Sequence, residues 1–208
     1  MDANENQECW KTTPNLTKFT AVEKDVSCMR ELEQNVKKYL PGDIMVDLHL
    51  APAQKWQGPL EKADLVFSIH SIYYFKEEDR KVIFENCFNK WLKPNGKLFI
   101  LMNKDKFDTP TPYYLNDIFR ETGRVPLIES YIVKKELLKL GCTIDRSFHY
   151  QYYQDLQAGY DHAVPFVMIH ANPPYENEEV PKKAIMKLIK RGNKGYASGT
   201  MFSVIEKY

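Results

Sequence analysis

The stretch over residues 63–75 constrains this chain most. A short apolar run, Leu65-Val66-Phe67, passes into Ser68-Ile69-His70-Ser71 and then into the pair Tyr73-Tyr74. The charged helix start Lys76-Glu77-Glu78-Asp79 follows. An apolar run of this length and composition reads as a buried strand. In an open parallel α/β sheet, ligands sit at the carboxyl ends of the strands. A strand that ends in serine, histidine and two tyrosines puts polar and aromatic side chains at that position.

The rest of the chain fits the same architecture. Strands are predicted over residues 19–22, 44–50, 97–102, 143–150 and 200–205. Helices are predicted over residues 26–40, 134–140 and 178–191, and one after Asp79 sets Ile83, Phe84, Cys87, Phe88 and Trp91 on one face. Asp25 or Ser27 can cap the first helix, and Pro41-Gly42 stops it. Pro94-Asn95-Gly96 marks a turn. Residues 1–15 read as a loose lead-in and residues 16–208 as the domain. Two inserts interrupt it: residues 103–129, with a short helix near 115–119, and residues 154–176, read as irregular around Pro165 and Pro173-Pro174. Strands alternating with helices predict an α/β fold with a mostly parallel sheet. Two strands near the C-terminus, one after a long excursion, predict an antiparallel C-terminal edge strand.

Composition narrows the function classes. The 208 residues carry a formal charge of +1, which implies no general attraction to nucleic acid or to an anionic membrane. No apolar run approaches the roughly 20 residues that span a bilayer. The polar, acidic start from Met1 to Glu8 lacks the apolar centre of a signal peptide. Cys9, Cys28, Cys87 and Cys142 are scattered without metal spacing, so reduced thiols in a cytoplasmic protein are the expectation, with Cys28 buried in its helix. His49, His149, His162 and His170 also lack ligand spacing, and no metal is expected. The 13 Tyr, 11 Phe and 3 Trp must mostly fill the core, leaving a fraction in loops to line a pocket for a flat or cationic ligand. The lysines from Lys182 to Lys194 read as a solvated helix face.

Three features taken together resemble a known family. These are Glu23 at a strand end, the segment from Leu65 to Tyr74, and Leu92-Lys93-Pro94-Asn95-Gly96-Lys97-Leu98 before a strand. They look like the second to seventh strands of a class I S-adenosylmethionine-dependent methyltransferase, a Rossmann-like fold. Val22-Glu23, the Tyr73-Tyr74 step, Leu137 to Gly141 and Phe202-Ser203-Val204-Ile205-Glu206 resemble the histamine N-methyltransferase family in particular, from about Lys11 onward. The chain departs from the family at its start. In the family the first strand ends in a glycine loop that approaches the cofactor closely, whereas here the first glycine is Gly42. The resemblance therefore predicts a truncated domain whose first strand and glycine-rich loop are missing. Its unpaired sheet edges would be open to self-association.

The resemblance also assigns candidate roles. Glu23 would accept the ribose hydroxyls of S-adenosylmethionine, and Gln54, beside Ala53, would read the adenine amino group. Ile69, next to Ser68, would lie against the cofactor. His70 stands where the family carries a substrate-binding amide; it would hydrogen-bond the substrate or take a proton from an amine, or else be structural. Tyr73 and Tyr74 would wall the substrate. Tyr114, beside Tyr113, would stack on it, and Ser198 would replace a second substrate-binding amide. The expected function is methyl transfer to an amine or imidazole nitrogen of a small molecule. The alternative is an inactive fragment that acts, if at all, through another chain.

Overall fold

The computed structural model describes residues 15–103, 114–153, 155–156, 160–192 and 195–206. They fall into two compact units that divide between Lys62 and Ala63. No helix among the described residues is long and apolar enough to cross a membrane.

The first unit is a βαβ element. Strand β1 (Lys18–Glu23) pairs in parallel with β2 (Met45–Leu50), in register from Lys18 opposite Met45 to Glu23 opposite Leu50. Parallel neighbours need a crossover, and α1 (Val26–Tyr39) supplies it. Asp25 caps this helix: one carboxylate oxygen accepts the Ser27 and Cys28 backbone N–H groups at 2.8 and 3.1 Å, satisfying donors that a helix start leaves unpaired. Leu40, just before Pro41, caps the helix end, its N–H returning to the Val36 carbonyl. Its basic last turn, Lys37-Lys38, complements the helix dipole. Met29 is the buried side chain of α1, and Cys28 is exposed, contrary to the sequence expectation: the helix turns its Cys28 side outward.

The second unit holds a four-stranded sheet. Its strands are β3 (Ala63–Ile69), β4 (Leu92–Asn103), β5 (Thr143–Tyr153) and β6 (Tyr196–Ile205), in the order β3-β4-β6-β5. β3 and β4 run parallel, while β6 is antiparallel to both β4 and β5. Two expectations are corrected here. Among the described residues the strands form two sheets rather than one. The C-terminal strand is an interior strand, and β5 is the edge. The reason is the long excursion between β4 and β6: it lets β5 form outside and leaves the slot beside β4 to the last segment.

The Pro94-Asn95-Gly96 turn is present as a bulge within β4. The register jumps from Ala63 opposite Leu92 to Leu65 opposite Lys97, which throws out the intervening residues. Asn95 takes a left-handed φ of 67°, which asparagine tolerates better than most residues. A side chain at Gly96 would meet the Lys93 carbonyl oxygen at 2.9 Å.

Helices α2 (Glu77–Asn86), α3 (Tyr114–Glu121), α4 (Ser130–Lys139), α5 (Tyr160–His170) and α6 (Glu179–Lys190) complete this unit. One face of the sheet is core: Leu98, Ile100, Met102, Phe202 and Val204 are buried, as are Val133 and Leu137 of α4. The Lys134 ammonium of α4 lies 5.0 Å above the Phe202 ring. The opposite face carries Leu65, Phe67 and Ile69 on β3, which remain 46%, 60% and 62% exposed. Phe67 stacks on Phe99 at 5.4 Å between centroids.

The stretch over 154–176, expected to be irregular, contains α5 with Pro165 inside it. Proline removes one helical N–H and is unfavourable in a helix interior. Here Val164 and Val167 are buried on either side of it, and that burial outweighs the local propensity.

Candidate active site

Strand β3 ends at Ile69, opposite Leu101 of β4. The next residue, His70, still donates its backbone N–H to the Leu101 carbonyl at 2.8 Å. Its φ is 48°, a left-handed conformation that is uncommon for residues with a side chain and that clusters at functional sites. The chain then closes on itself through a 2.9 Å contact between the Ser68 and Ser71 hydroxyls. A 3₁₀ turn over Ile72–Tyr74 follows. That turn buries Tyr73 and leaves Tyr74 half exposed, with the two rings edge-to-face at 4.7 Å.

Three other elements contribute to the same cluster. From α5, His170 lies 5.5 Å from the Tyr74 ring and 4.2 Å from Phe166. Its Nδ1 is 2.7 Å from the Phe166 carbonyl oxygen. From β5, the Tyr150 hydroxyl is 3.5 Å from His70 Nε2, and the Tyr150 and Tyr152 rings are 5.9 Å apart. From the end of β4, the carboxamide oxygen of Asn103 accepts the Tyr152 hydroxyl at 2.9 Å. Asn103 is 3% exposed, and among the described residues its amide nitrogen has no hydrogen-bond partner. A buried donor left unpaired is costly unless a ligand completes it. The cluster thus combines aromatic walls, two imidazoles and one unspent amide donor at the carboxyl ends of parallel strands. A small cavity lined by Leu92, Lys93, Gly96, Lys97 and Ile205 lies elsewhere, toward the amino end of β4.

Burial dominates the electrostatics. It pushes His70 below the ordinary histidine pKa, and the neighbouring His170 pushes in the same direction. Burial also lowers His170, partly offset by its bond to the Phe166 carbonyl. Both imidazoles are therefore neutral at pH 7, with a lone pair available. The Tyr73 hydroxyl is driven well above the ordinary tyrosine range by burial first and by Tyr74 second, so it stays protonated.

These shifts carry a stability consequence. An imidazole whose folded pKa is depressed stabilises the fold above its unfolded pKa, near ~6.5, and that contribution is lost as pH falls through the folded value. Melting temperature is expected to drop as pH falls from 7 to 5. The drop should shrink in a His70→Gln/His170→Gln variant. A double variant that melts with the same pH profile as the native chain would contradict the assignment.

The sequence-predicted residues are distributed unevenly. His70, Tyr73 and Tyr74 come together. Ile69 precedes them as the last residue of β3, with its side chain largely exposed. Tyr114 is wholly buried in α3, its hydroxyl raised in pKa by burial and by Tyr152. Tyr113 lies outside the described residues. Ser198 is buried in β6, and strand alternation puts it on the opposite face from Gly199, the partner of Tyr150. It is not joined to the His70 cluster.

Glu23 and Gln54 belong to the first unit. Glu23 ends β1, and one of its carboxylate oxygens accepts the Asp25 N–H at 2.8 Å. Gln54 sits in a 3₁₀ turn over Ala53–Lys55, with its amide oxygen buried and, among the described residues, unpartnered. Sequence reasoning missed Asn103, Tyr150, Tyr152, Phe166 and His170. The alternation Phe148, Tyr150, Tyr152 along a predicted strand was the available signal for an aromatic face. Phe166 and His170 were hidden in a stretch read as irregular.

Comparison with known proteins bears on the fold. Residues 7–100 match the family model described as a methyltransferase domain. No curated protein matches the sequence. Among solved structures, a protein of Bacillus halodurans assigned to the methyltransferases superimposes with a TM-score of 0.63 at 10% identity, over 94% of this chain and 86% of that one. The N-methyltransferase NodS of Bradyrhizobium japonicum, solved with S-adenosylhomocysteine, gives 0.52 at 11% identity, over 92% and 67%. The cyclopropane synthase MmaA2 of Mycobacterium tuberculosis gives 0.54 at 16% identity, over 89% and 68%. At such identities the structures speak for the fold, and the sequence match over residues 7–100 supplies the family signal. The chain has the α/β fold of these methyltransferase structures, and its residues 7–100 are similar to a methyltransferase domain.

Proposed function

We propose that this chain transfers a methyl group from S-adenosylmethionine to a neutral nitrogen of a small planar amine or nitrogen heterocycle. The observation that carries this reading is the cluster around His70: aromatic walls, neutral imidazoles and the unpaired Asn103 amide at the carboxyl ends of β3 and β4. The resemblance to the histamine N-methyltransferase family supports a nitrogen acceptor. A histidine in place of the family's amide at residue 70 argues for an acceptor other than histamine itself.

The residues of the first unit suit the nucleoside. Among the described residues the buried Gln54 amide oxygen lacks a donor, and an adenine amino group would provide one. The Glu23 carboxylate, at a strand end before a helix, has the chemistry to accept two ribose hydroxyls. When bound, S-adenosylmethionine supplies an electrophilic methyl on a sulfonium. The acceptor must then present a free lone pair, held close and in line. Tyr73 and Tyr74 would orient its ring, and the neutral His70 imidazole would keep the attacking nitrogen unprotonated or take its proton after transfer.

Calorimetric titration with S-adenosylhomocysteine tests the reading directly. Binding in the low micromolar range, about −8 kcal/mol, is expected. Absence of binding heat from folded protein would overturn it.

A specific observation favours a second reading. Leu65, Phe67 and Ile69 are exposed on β3, and β3 has an unpaired edge among the described residues. Exposed apolar strand edges invite pairing with another chain. On this reading the chain acts only in association. Cofactor binding by the isolated chain would exclude it.

A further inference from the structure

We infer that Gly199 is a positioning residue of the acceptor site: because it has no side chain, the Tyr150 ring can lie across β6, where its hydroxyl meets the His70 imidazole. The inference rests on the reading of His70 as the acceptor-facing group.

The geometry comes from strand register. Gly199 stands between Asn103 of β4 and Tyr150 of β5, opposite both. A Cβ built on Gly199 would overlap the Tyr150 ring and its hydroxyl. The ring therefore occupies the volume that any other residue would claim. The displaced atoms would be the far end of a tyrosine side chain, which can swing away, so a larger residue moves Tyr150 rather than the sheet. From this position Tyr150 Oη is 3.5 Å from His70 Nε2. Cross-strand pairing of an aromatic with a glycine is stabilising in itself, but here the same contact fixes the group beside His70. Thr200, the next residue along, donates to the Phe148 carbonyl at 3.1 Å, which pins this part of β6 to β5.

Among the described residues the titratable groups facing His70 are Tyr73 from the 3₁₀ turn, 6.3 Å away between ring centroids, His170 from α5 and Tyr150 from β5; Tyr74 packs on Tyr73 and Tyr152 on Tyr150. Among the described residues, Tyr150 is the one in direct reach of Nε2. In the tautomer protonated at Nδ1, its hydroxyl can donate to the Nε2 lone pair and so add to the burial that already favours the neutral form. That sets which acceptors fit: ones that meet a neutral imidazole flanked by a tyrosine ring.

The test is nuclear magnetic resonance titration of the histidine imidazoles in the full chain, combined with thermal melting. In Gly199→Ala, His70 should become more exposed, and its titration midpoint should rise by about 0.3 pH unit or more, roughly a twofold change in acid constant. Tyr150→Phe keeps the ring and removes the hydroxyl, so it should raise the His70 midpoint while leaving the melting temperature close to native. If Gly199→Ala does not fold, Tyr150→Phe still decides the question. His170, whose Nδ1 meets the Phe166 carbonyl, should move less than His70 in both variants. Melting of Gly199→Ala, Tyr150→Ala and the double variant supplies an independent check: the alanine at 199 should cost stability only while the Tyr150 ring is present. An unchanged His70 midpoint in Tyr150→Phe, or strictly additive melting effects, would overturn the inference. None of these readouts requires methyl transfer, so failure to bind S-adenosylhomocysteine would remove the enzymatic reading and leave this contact standing or falling separately.

Discussion

Arg80→Ala should destabilise the second unit by about 3–5 kcal/mol, the usual effect of removing one partner from a buried ion pair. Arg80 is 4% exposed in α2. Its guanidinium grips Glu136 of α4 in a fork, Nε to Oε2 at 2.8 Å and Nη2 to Oε1 at 2.5 Å. The remaining arm, Nη1, donates to the Phe75 carbonyl at 2.5 Å. Alanine would leave the little-exposed Glu136 carboxylate without its counter-charge and the Phe75 carbonyl without its donor. A loss of this size is a large fraction of the 5–15 kcal/mol that holds a typical domain folded. It corresponds to a fall of about 6–20 °C in melting temperature for a chain of this length.

Two further variants separate the causes. Arg80→Lys keeps the charge but cannot reproduce the fork, and should fall between native and alanine. Arg80→Met/Glu136→Leu removes both charges and retains bulk, and should recover most of the loss. A single alanine variant that melts within a degree of native would show that the pair contributes nothing. The Phe75 contact also links this pair to the proposed site, since Phe75 follows the Tyr73-Tyr74 turn. Binding at that turn should weaken in Arg80→Ala even where the protein remains folded.

Little of this pair was legible in the sequence. Arg80 and Glu136 are 56 positions apart, and nothing local marks either of them as buried. What the sequence did disclose follows short-range physics. The strand ending before His70, the Asp25 cap, the helix stop before Pro41-Gly42 and the stop at Gly141, which takes φ 83°, all depend on residues a few positions apart. The candidate site was legible to the same extent: His70 stands at the strand end, and Tyr73 and Tyr74 lie in the turn that follows it. The partners from β5 and α5 reach them only through strand order, which sequence periodicity does not encode. The placement of β6 between β4 and β5 is a case in point, because the register of Gly199 against Tyr150 exists only in that order. Pro165 misled for the opposite reason. Its local effect is real, but burial of Val164 and Val167 overrides it.

Glu23→Ala should weaken S-adenosylhomocysteine binding by about 10- to 100-fold, provided the native chain binds it as proposed. A hydrogen bond to a charged group contributes about 1.5–3 kcal/mol, and each 1.4 kcal/mol is tenfold in affinity. The carboxylate has two oxygens. One accepts the Asp25 N–H at 2.8 Å, which fixes its direction at the end of β1 and retains lone pairs for further donors. Glu23→Gln keeps one carbonyl oxygen but gives up the charge, so it should lose less, about tenfold. Neither substitution opens a core cavity, because Glu23 is not a fully buried residue, and melting of the unliganded protein should change little. Asp25 provides the contrast. It lies two residues away and is acidic, but its carboxylate is committed to the Ser27 and Cys28 N–H groups. Asp25→Ala should therefore lower the melting temperature through loss of the cap, with affinity nearly intact. If both alanine variants weaken binding equally, the effect is general disturbance of the β1–α1 corner. If Glu23→Ala binds within twofold of native while native binding is normal, the ribose is held by another group. Only selective loss at Glu23 agrees with a carboxylate that accepts the two hydroxyls.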